Sequence, residues 1–69
     1  MMRAAIVRPD GSIHSSMTQA EEAIERFTAR RRLSWLAFVP DGAALTEEDF
    51  PTLDRTHRVE DGAFVRLVP

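Results

Sequence analysis

The chain has 69 residues, no cysteine and a formal net charge of −2. It therefore has room for one small domain over residues 1–69, and it excludes disulfides and thiolate metal sites. It carries neither the basic surplus typical of nucleic-acid binders nor the strong negative charge of a DNA mimic. No apolar run approaches the roughly 20 residues of a membrane span. The apolar residues 4–7 are too few for a signal peptide, so we expect a cytoplasmic protein without a membrane partner.

The first predicted elements are the two strands of a β-hairpin. Residues 3–8 are apolar in their middle and lead into Pro-Asp-Gly-Ser at residues 9–12, a strong turn signal. A second, shorter strand is predicted at residues 12–15.

A helix is predicted over residues 18–33. Its apolar side chains recur at spacings of three and four, as on one face of a helix: Ala20, Ala23, Ile24 and Phe27. Thr18 with Glu21 three residues later forms the capping-box pattern, and Ser16 is a rival N-cap. The first turns are acidic and the last turn is rich in arginine, which matches the helix dipole.

Residues 33–39 form a continuous apolar run, which predicts a central strand buried on both faces. Its side chains alternate between the two faces: Trp35, Ala37 and Val39 on one, Leu36 and Phe38 on the other. The helix covers one face, and a chain of this length has little left to cover the second face. Leu36 and Phe38 are therefore predicted to be covered by a second copy of the chain, as the interface of a homodimer, or by a bound partner.

The last third of the chain predicts a short helical turn and two strands. Thr46 followed by acidic residues marks an N-cap, and Pro51 limits the helix to about one turn. A polar edge strand is predicted at residues 54–59, an Asp-Gly turn at residues 60–62 and a last strand at residues 63–68. The element order is ββαβ, short helical turn, ββ. This order indicates an α+β fold, with one main helix packed in two layers on a small, mostly antiparallel sheet.

An acidic segment is the first candidate site. Four acids surround two apolar side chains in it: Glu47, Glu48, Asp49, Phe50, Leu53 and Asp54. The apolar side chains would supply the buried contact with a partner protein, and the acids would steer a basic partner surface towards it. The alternative is a capped turn whose Phe50 and Leu53 fold back onto the core.

The densest positive patch is the second candidate site, and it consists of Arg26, Arg30, Arg31 and Arg32. These side chains predict contact with an anion or a nucleic acid, so the alternative function is a small nucleic-acid-associated regulator. The simpler explanation is that a helix C-terminus favours cations.

Residues with catalytic chemistry are few. His14 and His57 stand apart in the sequence, and each would need Asp54 or Asp61 beside it to form a metal site or an acid–base pair. The serines lack a nucleophile motif, and each of the three glycines follows an aspartate in a turn rather than a phosphate-binding loop. A small enzyme or ligand-binding domain is therefore the least favoured hypothesis, and no catalytic residue, metal or cofactor is predicted.

The two-sided apolar strand, the acidic segment and the few catalytic residues favour a non-catalytic protein-binding module. It would act as a small inhibitor or adaptor of a larger protein complex. All nine basic residues are arginine, whereas lysine, asparagine and tyrosine are absent, which is typical of a GC-rich bacterial or phage genome. In size and charge, though in no motif, the chain is similar to phage-encoded inhibitors such as anti-CRISPR proteins and to small antitoxin or immunity proteins.

Overall fold

A computed structural model describes residues 1–67 of the chain. In this part of the chain the elements follow in the predicted order: β1 (Met2–Val7), β2 (Ile13–Gln19), α1 (Glu21–Ala29), β3 (Ser34–Ala37), the 3-10 helix η1 (Glu47–Thr52), α2 (Leu53–Thr56), β4 (His57–Glu60) and β5 (Ala63–Arg66). The strand pairings are antiparallel, so the predicted α+β class is confirmed. None of the helices in residues 1–67 is long and apolar enough to cross a membrane.

β1 is the central strand of a three-stranded sheet in the order β2-β1-β3. Ala4, Ala5 and Ile6 have no exposed surface, because both faces of β1 are covered. The prediction that residues 33–39 form the central strand is wrong, since β3 has only four residues and is the last strand of this sheet. The chain that leaves α1 returns to the open side of β1, where residues 4–7 provide the antiparallel partner.

α1 covers one face of this sheet, as predicted for the main helix. The cluster between them has three fully buried residues, Ala4, Ile6 and Ile24, and half-buried neighbours that include Met17, Phe27 and Trp35. Burying an isoleucine side chain completely contributes roughly 1.5–3 kcal/mol. This contact therefore holds a helix of only nine residues against the sheet.

The opposite face of the sheet is covered by the last third of the chain. The main buried residues here are Ala5, Val7, Ile13, Phe38, Leu45 and Leu53, with Leu36, Phe50, Val59 and Phe64 packed against them. The predicted alternation along β3 is thus confirmed for Trp35, on the α1 side, against Leu36 and Phe38 on this side. Phe38 is only 5% exposed, and its ring centroid lies 5.0 Å from that of Phe50. The face that was predicted to form a homodimer is therefore covered within one chain, and the homodimer prediction loses this basis.

α1 begins later than predicted and has no side-chain cap. β2 extends to Gln19 because nearly its whole length pairs with β1, and it includes both Thr18 and Ser16. Neither of these side chains can therefore cap the helix, and the predicted capping box is wrong. Ala20 is the N-cap residue, in an extended conformation and without a side-chain hydrogen bond.

α1 also ends earlier than predicted, and its last turn closes through a left-handed residue. Arg32 has φ +57°, and the N–H of Leu33 donates to the carbonyl of Thr28 at 3.1 Å. This is the hydrogen bond of a Schellman closure, in which glycine is the usual left-handed residue.

β4 and β5 form the predicted hairpin. Asp61 and Gly62 both have positive φ, +52° and +76°, as in the type I′ turn that Asp-Gly pairs favour. The first of the two strands starts later than predicted because residues 53–56 form α2. The predicted end of the second strand, residue 68, lies outside the described residues.

The two sheets are joined at the turn between β1 and β2. Ser12 forms an antiparallel bridge with Arg58, and the N–H of Val59 donates to the carbonyl of Gly11 at 2.8 Å. Gly11 has φ +92°, and a Cβ atom at this position would lie 2.5 Å from the carbonyl oxygen of Val59. Only glycine therefore allows β4 to approach the turn this closely.

The five strands of the described chain surround one apolar core. Across the Ser12–Arg58 bridge their order is β3-β1-β2-β4-β5, and each strand contributes a side chain to that core. β3 and β5 lie at the two ends of this order, and within residues 1–67 they are not paired with each other. The arrangement resembles a barrel that is open along one side, and we call the gap between β3 and β5 the seam.

Candidate functional site

The seam contains an apolar cleft of about 280 Å³. Side chains at the end of β3 and just after it line one side, and the start of β5 lines the other: Leu36, Ala37 and Val39, then Gly62, Ala63 and Phe64. The loop before η1 contributes Asp41, the one charged residue among the lining residues of the described chain.

The outer edge of β3 borders this cleft. The N–H of Phe38 donates to the carbonyl of Arg3 at 2.9 Å, and in an antiparallel ladder every second residue faces the partner strand. The backbone N–H and C=O groups of Leu36 therefore point towards β1, whereas those of Trp35 and Ala37 point away from it. Since β3 is the last strand of its sheet in residues 1–67, these groups have no strand partner.

β5 likewise ends its sheet at the seam. The N–H of Leu67 donates to the carbonyl of Thr56 at 2.9 Å. Because every second residue of an antiparallel strand bonds its partner, the backbone groups of Val65 point towards β4, and those of Phe64 and Arg66 point outward.

β3 and β5 run in the same direction. β3 is antiparallel to β1. The antiparallel bridge between Ser12 and Arg58 makes β4 antiparallel to β2 and therefore parallel to β1. β5 is antiparallel to β4 and so also runs antiparallel to β1. One extended segment in the seam could therefore be antiparallel to both strands.

The edge of β3 lacks the charges that normally protect an exposed strand. Residues 33–39 contain no charged side chain, and Val39 is 71% exposed. Proteins usually place charges, prolines or covering segments at such edges, which prevents pairing with other chains. An uncharged edge beside an apolar cleft is typical of strands that accept an extended partner.

The loop before η1 fixes Asp41 at the cleft. Its Oδ1 accepts hydrogen bonds from the N–H groups of Ala43 at 2.9 Å and Leu45 at 3.1 Å. The hydrogen bond from Ala43 is the main reason that the pKa of Asp41 lies below its ordinary value of 3.8. Asp41 therefore places a negative charge at the cleft at neutral pH.

The predicted acidic site is only partly on the surface. Leu53 has no exposed surface and Asp49 is 8% exposed, so both pack inside the chain rather than against a partner. Phe50 is half-buried against the core, while Glu48 and Asp54 are exposed. The structure thus matches the alternative of a capped turn that folds back onto the core, and the six predicted residues do not form one accessible surface.

Glu47 is engaged within the chain. Arg3 donates to its two carboxylate oxygens at 2.6 and 2.9 Å, and this contact is the main cause that lowers the pKa of Glu47. The guanidinium of Arg3 also lies over the rings of Phe38 and Phe50, 4.9 and 5.5 Å from their centroids. The pair connects β1 to η1, so Glu47 has a structural partner already.

Asp49 is the centre of a polar network inside the chain. Its Oδ2 accepts hydrogen bonds from the N–H of Thr46 at 2.8 Å, from the Thr46 hydroxyl at 3.1 Å and from Arg66 at 2.7 Å. The bond from the Thr46 N–H is the main cause that lowers the pKa of Asp49 below 3.8. The predicted N-cap at Thr46 is confirmed, and Arg66 connects β5 to η1 and so helps to position one side of the seam.

The two histidines lie in different surroundings. His57 is 1% exposed; its Nε2–H donates to the carbonyl of Ala44 at 2.8 Å, and its Nδ1 lies 2.7 Å from the Thr56 hydroxyl oxygen. His14 is exposed and packs edge-on against Phe27, with the ring centroids 6.1 Å apart. In residues 1–67 no group of three or more His, Cys, Asp or Glu side chains could hold a metal ion.

The predicted arginine patch is exposed at the end of α1: Arg26, Arg30, Arg31 and Arg32. The guanidinium of Arg31 lies 4.1 Å from the centroid of Phe27 and donates to the carbonyl of the same residue at 3.0 Å. Arg31 therefore stabilises the helix end, as the simpler explanation of the patch states.

Comparisons with known proteins provide no relative for this chain. No protein-family model matches it, and neither a curated protein nor a solved structure does. The function is therefore inferred from the geometry of the site.

Sequence reasoning missed the seam and placed the candidate site elsewhere. Ala37, Val39 and Phe64 were assigned to strands, with no role at an edge. The uncharged run at residues 33–39 did indicate a strand that needs burial on both sides or a partner, but it does not show that this strand lies at the edge of a sheet.

Proposed function

We propose that this chain is a non-catalytic protein-binding module that accepts an extended segment of a larger protein at the seam. It would act as an inhibitor or adaptor of that protein in the cytoplasm. The observation that carries the proposal is the apolar cleft between β3 and β5, whose outward backbone groups have no strand partner in residues 1–67.

The surroundings of the cleft support a peptide rather than a cofactor. The cleft is open to solvent and lies between two strand edges whose outward backbone groups have no strand partner in residues 1–67. It suits a single apolar side chain that approaches Leu36 and Phe64. The backbone of the added segment would bond the outward N–H and C=O groups of Trp35 and Ala37, as in other cases of strand addition.

The carboxylates with shifted pKa values are engaged in hydrogen bonds within the chain. Asp10, Asp41, Glu47 and Asp49 have pKa values below their ordinary values, and hydrogen bonds within the chain are the main cause in each case. These bonds hold turns, a helix start and the β1–η1 contact.

Selection of random displayed peptides, each long enough to form one strand, tests the proposal. Val39→Lys places a charge and Val39→Gln a neutral polar group at the edge of β3, and each should weaken the selected peptides, by at least about tenfold, or about 1.4 kcal/mol, for Val39→Lys. The matched controls are Val65→Lys and Val65→Gln. Val65 is also an exposed apolar residue, and it does not line the cleft.

Peptides that bind the Val39 variants as tightly as the original protein would contradict the proposal, as would a selection that enriches none. Circular dichroism and the melting temperature check that the four variants remain folded. Binding to DNA or RNA with a steep salt dependence, abolished by reversing Arg30, Arg31 and Arg32 to Glu, would instead support the nucleic-acid alternative.

A further inference from the structure

We propose, on the basis of the proposed function, that the seam selects a basic extended segment. Its partner would carry one apolar residue with lysine or arginine two positions before and after it. The charges around the cleft and the period of a β-strand together carry this inference.

The charges near the cleft are negative, and no ion pair within residues 1–67 neutralises them. Asp41 lines the cleft, and Asp61 lies in the hairpin turn directly before the lining residue Gly62. The Oδ1 of Asp41 accepts hydrogen bonds from two N–H groups of its own loop. These bonds hold the carboxylate in place but do not neutralise its charge. Asp61 is exposed.

The arginines of the neighbouring strands are engaged elsewhere. Arg66 donates to Asp49 at 2.7 Å. Arg58 lies 3.2 Å from Glu60 through its Nε and donates to the carbonyl of Asp10 at 2.8 Å. Neither guanidinium therefore neutralises the acids at the cleft, and a cationic partner side chain would supply the missing counter-charge.

The strand period gives the spacing of the basic residues. Side chains two positions apart lie on the same face of a strand, about 7 Å from one another. An apolar side chain that enters the cleft between Leu36 and Phe64 thus has same-face neighbours at the positions before and after the cleft. These neighbours are the side chains that can reach the acids around it.

Two conservative substitutions remove the negative charge without changing the backbone. Asp41→Asn keeps an amide oxygen that can accept the hydrogen bonds of Ala43 and Leu45. Asp61→Asn keeps a residue type that tolerates positive φ, because Asn-Gly is also favoured in type I′ turns. The matched control is Glu48→Gln with Asp54→Asn, which removes the same charge from two exposed residues outside the cleft lining.

The test applies these variants to the peptides selected on the original protein. The expected result is a set of peptides with the basic–x–apolar–x–basic pattern. Their affinity should fall about three- to tenfold, summed over two exposed charge pairs, in the Asp41→Asn/Asp61→Asn variant and stay unchanged in the control. The affinity should also fall with added salt, because exposed charge pairs are screened.

The remaining outcomes separate this inference from the proposed function. Peptides that lose binding to the Val39 variants but are neutral or acidic would overturn the basic partner and leave the seam as a binding site. Peptides insensitive to the Val39 variants would overturn the proposed function itself. A dimer of the original protein in light scattering that becomes a monomer in Val39→Lys would make a second copy the occupant and overturn the inference.

Discussion

At Gly11 the chain requires a residue without a side chain for two independent reasons. Its φ of +92° is a conformation that other residues adopt at a cost, and a Cβ atom would meet the carbonyl oxygen of Val59 at 2.5 Å. Gly62 shares only the first requirement, because a Cβ atom there would have no neighbour within 4 Å among residues 1–67. A comparison of substitutions at Gly11 and Gly62 therefore separates the free-energy cost of the left-handed backbone from the cost of the steric clash with Val59.

We expect Gly11→Ala to destabilise the fold far more than Gly62→Ala. The left-handed conformation alone costs roughly 1–2 kcal/mol in each variant. Gly11→Ala must in addition push β4 away from the turn and break the hydrogen bond from Val59. Urea unfolding measures both variants, and equal losses of stability would show that β4 does not approach the turn as described.

At the scale of single elements, α1 is held by tertiary contact rather than by its own ends. Its N-cap is Ala20, which makes no side-chain hydrogen bond, and Arg32 occupies the left-handed position at its other end. Fully buried Ile24 provides the contact with the sheet. The helix therefore has an uncapped N-terminus that a single substitution can improve.

We expect Ala20→Ser to stabilise the protein by about 1 kcal/mol, because a hydroxyl at the N-cap can accept a hydrogen bond from the first turn. Thr18→Ala should leave α1 unchanged, since Thr18 lies in β2. Thermal unfolding of the two variants tests this assignment. A loss of helix stability in Thr18→Ala with no gain in Ala20→Ser would restore the helix start that the sequence pattern predicted.

Local sequence patterns predicted the helices and strands well, but they did not predict which of these elements pair or pack with one another. The three- and four-residue spacing of Ala23, Ile24 and Phe27 predicted α1, and Asp61-Gly62 predicted the hairpin turn. The start of α1 was wrong because the ladder between β1 and β2 outweighs a capping pattern at Thr18.

The position of β3 and the existence of the seam depend on contacts between distant parts of the chain. An apolar run such as residues 33–39 has the same composition whether it becomes a central or an edge strand. Which neighbour each strand finds is decided by the return of the chain after α1 and by the approach of β4 to Gly11. No pattern within residues 33–39 contains that information, so the candidate site was placed on the acidic segment instead.

At the scale of the whole molecule, two carboxylates paired with arginines connect the layers. Glu47 pairs with Arg3 on β1, and Asp49 connects η1 to Arg66 on β5. The hydrogen bonds described above keep the pKa values of both carboxylates below their ordinary values of 4.5 and 3.8. A carboxylate whose pKa is lower in the folded state stabilises the fold above the unfolded pKa, and this stabilisation is lost as the pH falls through the folded pKa.

The melting temperature should therefore be nearly constant above about pH 5 and should fall as the pH drops below about 4. Asp49→Asn should lower the melting temperature at neutral pH and make the acid-induced fall shallower, since one of the responsible carboxylates is gone. Glu48→Gln is the control, because Glu48 is exposed on the same helix and exposed charges contribute little to stability. A melting temperature that rises on acidification would contradict this role of Asp49.

Amide hydrogen exchange in the presence of a selected peptide tests most directly whether the seam binds an added strand. In the protein alone, the amides of Trp35 and Ala37 should exchange quickly and that of Leu36 slowly, because only Leu36 faces β1. Addition of the peptide should slow exchange at Trp35 and Ala37 and leave Leu36 as it was. Unchanged exchange at Trp35 and Ala37, with new protection elsewhere on the surface, would contradict binding at the seam.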